Sequence, residues 1–430
     1  MNVITRRLAS MVCFAILFAL TACGGGGGGG DVGSTPALPL IIDAFRLRGP
    51  AGANDEYVQI YNGNASPHTV AAISGTGYAI AASDGVVRCT IPNGTVIPAH
   101  GHFLCVNNAA GGYSIGAYPS GNGTATGDAA FTTDIPDNAG IALFNNNTGG
   151  ASFTLANRLD AVGTTSEANT LYKKGTGLPA LTPFSIDSSW VRDICGRGGA
   201  INVLGACPLS NGGLPIDTGN NAADFYFVDT NGTSSGGGQR LGAPGPQNLG
   251  SPVFGSLPIA STALDTCAAD TATPNVLRDF TSVPASNATF GTLDIRRTFT
   301  NNTGVPITRL RFRIIDLDTF PAASGFADLR PITSTSITVT VNRPPCTAGT
   351  SSITVQGTTL EQPSNQPNGG GFNSSMSTGA VALVSPLANG SSIDLHFLMG
   401  IQQTGTYRLG IVVETLPNGG AIFQISGATG

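Results

Sequence analysis

The sequence predicts an all-β protein with two β-sandwich domains, and three observations support this fold class. The 430 residues include 60 glycines and 27 prolines, which suit many short strands joined by turns. Apolar residues alternate with charged ones in several segments, as in Leu310, Phe312 and Ile314 among three arginines. No segment after residue 22 shows the 3.6-residue apolar period of an amphipathic helix.

Residues 1–22 have the pattern of an export signal. Arg6 and Arg7 form a basic start, residues 8–19 are apolar, and Ala22 is the small residue that a signal peptidase requires. The apolar run is shorter than the roughly 20 residues needed to cross a bilayer. We therefore expect a cleaved signal and not a transmembrane helix.

The end of this segment resembles the cleavage motif of bacterial lipoproteins, in the run Leu20-Thr21-Ala22-Cys23. The resemblance implies that Cys23 receives a lipid and becomes the new N-terminus. An ordinary secretory signal that happens to end in Cys is the alternative. Residues 23–37 then form a glycine-rich stalk that cannot bury a core. Gly24 stands where such lipoproteins carry an inner-membrane retention Asp, so we expect the cell envelope, at the outer membrane or the cell surface.

A boundary between two domains is expected near residue 255. Glycine, proline and serine are frequent from residue 241 onward, as in a connector. The prediction is a first domain over 38–250, a linker over 251–258 and a second domain over 259–430. Each domain is long enough for its own core.

Six cysteines remain after Cys13 in the signal and Cys23 are set aside, and an even number in an exported chain favours disulfides. The six are Cys89, Cys105, Cys195, Cys207, Cys267 and Cys346. Proximity along the chain favours pairing them in that order, the first pair across a turn-rich hairpin, although sequence alone leaves the connectivity open. Their spacing does not fit a tetrahedral zinc site.

The first half carries an ordered set of short motifs. They are residues 41–45 and 55–62, which suit a hairpin, followed by 93–101, 139–144, 159–163, 189–192, 217–225 and 244–248. In this order the segments resemble the lamin tail domain, which implies an immunoglobulin-like β-sandwich. Gln59 departs from the acidic residue that members often carry there. An extra loop, about 186–215, also departs from the pattern. The second half, around residues 297–316, resembles an uncharacterised β-sandwich domain that accompanies lamin-tail-like domains.

A row of arginines is the first candidate ligand site. Arg309, Arg311 and Arg313 share one face of a predicted strand, because alternate side chains of a strand point the same way. Guanidinium groups bind carboxylates and phosphates in bidentate fashion, so the row could hold an acidic glycan. The alternative is structural pairing with nearby acidic residues, such as Asp316 and Asp318.

A group of oxygen-bearing side chains is the second candidate. Asp217, Asn220, Asn221 and Asp224 have close spacing suited to calcium in an extracellular loop, although the order departs from the EF-hand and lacks its terminal Glu. Turn-forming Asx residues explain the same pattern without a metal. Calcium is the one cofactor considered, and no other is expected.

The segment 232–236 matches the GxSxG pattern of hydrolases, but it runs into further glycines, and none of His68, His100, His102 and His396 has a recognisable triad setting. We expect His100 and His102 to face solvent or cap a turn.

Charge bears on the partners. Residues 31–256 carry nine basic against fifteen acidic residues, and residues 257–430 carry nine against ten, so nucleic acid is not an expected partner. The expected partners are the membrane, through the lipid, and a surface protein or glycan. The prediction is a non-enzymatic envelope lipoprotein acting as an adhesion, scaffold or ligand-binding module. A carbohydrate-binding module or an accessory subunit of a secreted hydrolase is the alternative.

Overall fold

Strands make up 47% of the residues that the structure describes and helices 4%, which confirms the predicted all-β fold class. The computed structural model describes residues 40–116, 125–181, 187–196, 207, 212–232, 238–362 and 370–430. Within these ranges no helix is both long enough and apolar enough to cross a membrane.

The first half of the chain contains thirteen described strands and one short helix. They are β1 (Leu40–Arg46), β2 (Tyr57–Asn62), β3 (His68–Thr69), β4 (Gly77–Ala82), β5 (Val87–Pro92), β6 (Val96–Ile97), β7 (His102–Asn107), β8 (Ala129–Phe131), β9 (Ile141–Phe144), β10 (Arg158–Val162), β11 (Ser188–Arg192), α1 (Asn221–Asp224), β12 (Phe225–Asp229) and β13 (Gln239–Leu241). Two 3₁₀ turns lie at Gly150–Ser152 and Thr170–Tyr172.

Two of the sheets in this half pack face to face as a sandwich. The seven-stranded sheet has the order β13-β12-β11-β1-β2-β7-β8, and the four-stranded sheet has the order β10-β9-β4-β5. Their facing side chains form one apolar core, which includes Ile42, Val58 and Ile60 from the first sheet and Ile80 and Leu143 from the second. The predicted hairpin is present, because β1 and β2 pair antiparallel.

Both faces of the seven-stranded sheet are buried. Val58 and Ile60 of β2 face the core between the two sheets, as their alternation predicts, whereas Gln59 and Tyr61 point away from it. All six residues of β2 are nevertheless buried, since Tyr57 packs against Tyr113 of the first half, while Gln59 and Tyr61 face residues of the second half. The outer face of the sheet is therefore covered partly by the first half and partly by the second.

The second half contains twelve described strands. They are β14 (Phe254–Ala263), β15 (Val276–Asp279), β16 (Thr292–Asn301), β17 (Arg309–Leu317), β18 (Asp328–Ile332), β19 (Ile337–Asn342), β20 (Thr350–Val355), β21 (Thr359–Glu361), β22 (Ser375–Ser377), β23 (Ser392–Gln403), β24 (Thr406–Leu416) and β25 (Gly419–Ala428). A 3₁₀ turn lies at Pro284–Ser286.

Ten of these strands form one sheet, in the order β18-β23-β16-β14-β25-β24-β17-β22-β21 with β15 added beside β16. Strand β14 joins two layers, since its first half pairs with β25 and its second half with β16. The layers enclose a core that contains Phe299 and Phe397 from one side and Phe312, Ile314 and Ile411 from the other. Strands β19 and β20 form a separate hairpin.

The segment predicted as a linker, 251–258, is packed into the fold. Ser251 and Val253 are 1% and 3% exposed, and Val253 forms a bridge with Thr415. Its last residues belong to β14. Both halves lie within one compact unit, residues 37–430, and the division into two domains stays a prediction.

Three disulfides join the six predicted cysteines in sequence order, as Cys89–Cys105, Cys195–Cys207 and Cys267–Cys346. The first bridge differs from the expected one across a hairpin. Cys89 lies on β5 of the four-stranded sheet and Cys105 on β7 of the seven-stranded sheet, and these two strands do not pair with each other. The bond therefore ties the two layers of the sandwich together.

Glu56 is a fully buried carboxyl at the start of β2. Its oxygens accept hydrogen bonds from the Asn107 side chain at 2.7 Å and from the Ile135 backbone at 2.8 Å. Burial raises the pKa of Glu56 to about 8, although both hydrogen bonds act in the opposite direction. The folded protein therefore holds a proton at neutral pH that the unfolded chain, with a pKa of 4.5, releases.

This difference predicts a pH-dependent stability. Between pH 4.5 and 8 the folded state binds one proton more, so the free energy of unfolding falls as pH rises, by up to about 1.4 kcal/mol per unit. Glu56→Gln, which mimics the protonated form, should flatten the dependence of melting temperature on pH and exceed the wild type at pH 9. The control is Glu167→Gln, whose carboxyl has a lowered pKa. Equal slopes for Glu56→Gln and the wild type would contradict the assignment.

Candidate functional site

The predicted arginine row is buried where the two halves meet. Leu310, Phe312 and Ile314 do face the core of the second half, as predicted. The opposite face of β17, however, is not a free surface, since Arg311 and Arg313 are 2% and 9% exposed. The prediction of an accessible row is wrong for these two residues, because the first half covers the strand.

Glu414 of β24 holds both buried arginines. Its two oxygens lie 2.7 Å from Arg311 Nε and 2.9 Å from Arg313 Nε. Burial alone would raise the pKa of Glu414, but the two guanidinium groups lower it to about 2. Arg311 and Arg313 therefore pair with an acid inside the fold, as the structural alternative states, but the acid is Glu414. Asp316 and Asp318 pair with Arg408 instead.

An apolar cluster and a hydrogen bond join the halves beside these charges. Cys195 and Cys207 of the first half pack with Ile315 and Val412 of the second. A second contact joins Arg311 to the backbone oxygen of Pro252 at 3.4 Å. Buried arginines need such satisfied surroundings, since an unpaired charge in this interior would cost several kcal/mol.

The four residues predicted as calcium ligands lie together, but protein groups occupy their oxygens. Asp217 pairs with Lys174, and Asp224 accepts from the backbone and hydroxyl of Thr218 and contacts Arg192 at 3.4 Å. The positive groups stand where a cation would have to bind. The described residues contain no set of three or more His, Cys, Asp or Glu arranged to hold a metal ion.

The two asparagines of this set act as turn and anchor residues. Asn220 accepts from the backbone of Thr176 at 3.0 Å, and Asn221 accepts from the backbone of Lys174 at 2.9 Å. Asn221 also donates to the carbonyl of Ala161 at 3.0 Å. This geometry matches the alternative of Asx residues that organise a turn.

A cleft of about 70 Å³ lies between the two halves, and it is the candidate functional site. Side chains from both sides line it. Its charged and polar members are Asp43, Gln59, Tyr61, His100, His102, Arg192, Gln247, Arg313, Asn373 and Glu414. The cleft thus combines carboxylates, amides, imidazoles and guanidinium groups in one small volume.

A β-bulge places Asp43 in the cleft. Ile42 pairs with Ile60 and Ala44 with Gln59, so Asp43 is the extra residue of the pair β1–β2. Both Asp43 and Ala44 line the cleft, which regular alternation would not allow. Bulges are frequent next to functional sites, where they redirect a side chain.

Asp43 is anchored by one of its two oxygens. Oδ2 accepts from Gln59 Nε2 at 3.0 Å and lies 3.3 Å from His102 Nε2. Among the described residues, neither Asp43 Oδ1 nor His102 Nδ1 has a hydrogen-bond partner, and both atoms are buried. Buried polar atoms normally have partners, and these two belong to residues that line the cleft, so they are candidate positions for a bound group.

An aromatic wall stands beside this pair. Tyr61 lies opposite His102 on the neighbouring strand, with ring centroids 5.2 Å apart, and its hydroxyl is 3.1 Å from His100 Nδ1. Burial lowers the pKa of His100, with a further contribution from His102, so the imidazole of His100 is neutral at pH 7.

Both histidines are buried, at 6% and 5% exposure for His100 and His102, and the expectation that they face solvent is wrong. The cleft was not predicted from the sequence, because each strand was expected to bury only one of its faces against one core. A signal was present: Asp43 is the single acidic residue of β1, within the apolar run 40–45, and Glu414 is the single acidic residue of β24. A buried acid of this kind implies a partner on an opposing surface.

A second cavity, of about 30 Å³, lies at one end of the first sandwich. Phe45, Leu178, Trp190 and Phe227 are among its apolar lining residues, and all four belong to the main core of that half. It carries no unpaired buried acid or imidazole among the described residues, so it ranks below the cleft as a site.

Other predicted features fall outside the described residues: Cys23, the signal, the stalk over 23–37 and most of the GxSxG segment. Comparison with known proteins adds no identity. The chain matches no protein-family model and no curated protein sequence.

Proposed function

We propose that this chain is an exported lipoprotein, held at the cell envelope by a lipid on Cys23, that binds a ligand without transforming it. The cleft between the two halves carries the binding role in this proposal. Its unpaired Asp43 Oδ1 and His102 Nδ1 are the single observation on which that role depends. The first half is proposed to be an immunoglobulin-like domain related to the lamin tail.

Export is supported by the three disulfides. Disulfides persist in oxidising compartments and are rare in the bacterial cytoplasm. All six cysteines after Cys23 are paired. The signal-like N-terminus supports the same compartment independently.

Rigid placement of the cleft supports binding. The seven-stranded sheet is held by a disulfide to its partner sheet, and β17 and β24 are fixed by Glu414 and its arginines. Groups held in this way lose little further freedom when a ligand binds, which favours affinity. The arginine row is not proposed as a glycan site, because Arg311 and Arg313 are already paired and buried.

The anchor is tested by metabolic labelling with a palmitate analogue and by membrane fractionation in a bacterial host. We expect the wild type to be labelled and membrane-bound, and Cys23→Ala to lose the label. Cys13→Ala, a change within the signal, is the matched control and should behave as the wild type. A wild-type protein without label, or a labelled Cys23→Ala variant, would refute the anchor.

A further inference from the structure

We infer that the cleft binds a neutral, hydroxyl-rich ligand, such as the end of a saccharide chain, whose hydroxyl groups donate to Asp43 Oδ1 and His102 Nδ1. The inference rests on the proposed binding function and names its ligand class. It depends on the hydrogen-bonding character, charge, size and wall of the cleft.

The two unpaired atoms of the cleft, Asp43 Oδ1 and His102 Nδ1, act as hydrogen-bond acceptors. Asp43 Oδ1 belongs to a carboxylate and can only accept. The Nε2 of His102 faces Asp43 Oδ2 at 3.3 Å, which favours the proton on that nitrogen and leaves Nδ1 as an acceptor. Both positions therefore call for a donor on the ligand, and adjacent hydroxyl groups supply two.

The charges that line the cleft favour a neutral ligand. A ligand anion would meet the carboxylates of Asp43 and Glu414, and a ligand cation would meet the guanidinium groups of Arg192 and Arg313. Glu414, Arg192 and Arg313 already belong to ion pairs, so the cleft presents positive and negative charges close together. A neutral ligand avoids desolvating an unpaired charge in this setting.

The size of the cleft and its aromatic lining suit the end of a saccharide. A volume of about 70 Å³ corresponds to roughly five water molecules, so the cleft takes part of one sugar ring with its hydroxyl groups and not a longer chain. Tyr61 and the imidazoles of His100 and His102 pack against one another and line one side of the cleft. Rings of this kind present both apolar carbon and polar edge atoms.

The bulge gives a further reason to regard the site as built. It brings Asp43 and Ala44 to the same side of β1, and the second irregularity, at Ile315 of β17, lies on the opposite wall of the cleft. Both walls thus depart from regular pairing at the same place. A contact that served only to join the halves would not need a buried carboxylate oxygen without a partner, as Asp43 Oδ1 is.

The test uses the purified full-length protein in a detergent without a sugar headgroup. Titration calorimetry and saturation-transfer NMR measure binding of methyl glucoside, methyl galactoside and cellobiose, with glucosamine and glucuronate as charged counterparts. We expect saturable binding of at least one neutral saccharide, at least tenfold tighter than either charged sugar.

Variants locate the site. Asp43→Asn removes the charged acceptor, and His102→Phe removes both ring nitrogens but keeps a ring. Each should weaken binding at least tenfold, and either one suffices if the other does not fold. Asp279→Asn makes the same chemical change at a site on β15, outside the cleft, and should bind as the wild type.

Three results would overturn the inference. Tighter binding of a charged sugar, still sensitive to Asp43→Asn, refutes the neutral ligand class but retains the cleft as a binding site. Saccharide binding that survives both cleft variants places the ligand elsewhere. Failure of all five probes means that the cleft takes none of the sugars and overturns this inference, while the palmitate experiment tests the anchor independently.

Discussion

Glu414→Gln should destabilise the protein more than any other single change considered, by about 3–5 kcal/mol. The substitution leaves Arg311 and Arg313 buried without their shared carboxylate. The loss arises mainly from the two stranded charges, so replacing Arg311 with Met in the same variant should recover part of it. Denaturant unfolding monitored by fluorescence and circular dichroism measures both effects.

The matched control is Asp137→Asn, which breaks the Arg48–Asp137 pair. Both side chains of that pair are nearly 30% exposed, at 29% and 28%, so the loss should stay below about 1 kcal/mol. An effect of Glu414→Gln no larger than this control would show that the arginines find other partners or water.

Acid should have a parallel effect on the wild type. The pKa of Glu414 is lowered to about 2 in the folded protein, against 4.5 when unfolded. The stabilisation is therefore complete above pH 4.5 and is lost as pH falls from there towards 2. This part of the acid sensitivity should be absent from Glu414→Gln.

Removing the Cys267–Cys346 bridge should give the second large effect. The two cysteines are 79 positions apart, and the chain-entropy relation gives a loss of about 4.5 kcal/mol for a loop of this length. Cys346 is exposed and Cys267 is only partly buried, so Cys267→Ala with Cys346→Ala removes little packing. Because the unfolded chain becomes less compact, the denaturant m-value should rise.

The comparison is the double alanine variant at Cys195 and Cys207, which are only 12 positions apart. Its crosslink contributes about 3 kcal/mol by the same relation, and its m-value should change less. An unchanged m-value and stability in the Cys267 and Cys346 variant would mean that this bridge does not restrict the unfolded chain.

Strand patterns could be predicted from sequence because period-two alternation is local. Leu310, Phe312 and Ile314 lie in the core as their spacing predicts, and Ile41–Phe45 pairs with the next strand. The surface that covers the other face of a strand comes from residues far away in the sequence, so alternation within the strand does not predict it. The sequence therefore left open whether the arginines of β17 bind a ligand or pair with acids inside the fold, and the structure buries Arg311 and Arg313 against a second surface.

The cleft itself could not be predicted, since it depends on how surfaces from distant parts of the chain meet. His102 and Asp43 are 59 positions apart, and Arg313 is a further 211 positions along the chain. The bulge that turns Asp43 towards them leaves no mark in the alternation of a seven-residue strand. Among the sequence features of β1, only its single acidic residue, Asp43, indicated the cleft.

The central claim is that the chain works outside the cytoplasm as a lipid-anchored, disulfide-linked binding protein. Intact mass spectrometry of the protein extracted from its own membranes, alkylated before reduction, tests this most directly. The account predicts a chain that begins at Cys23, carries acyl groups and takes up no alkylating reagent on its six remaining cysteines. A chain that begins at Met1, without acyl groups and with all six cysteines alkylated, would contradict it.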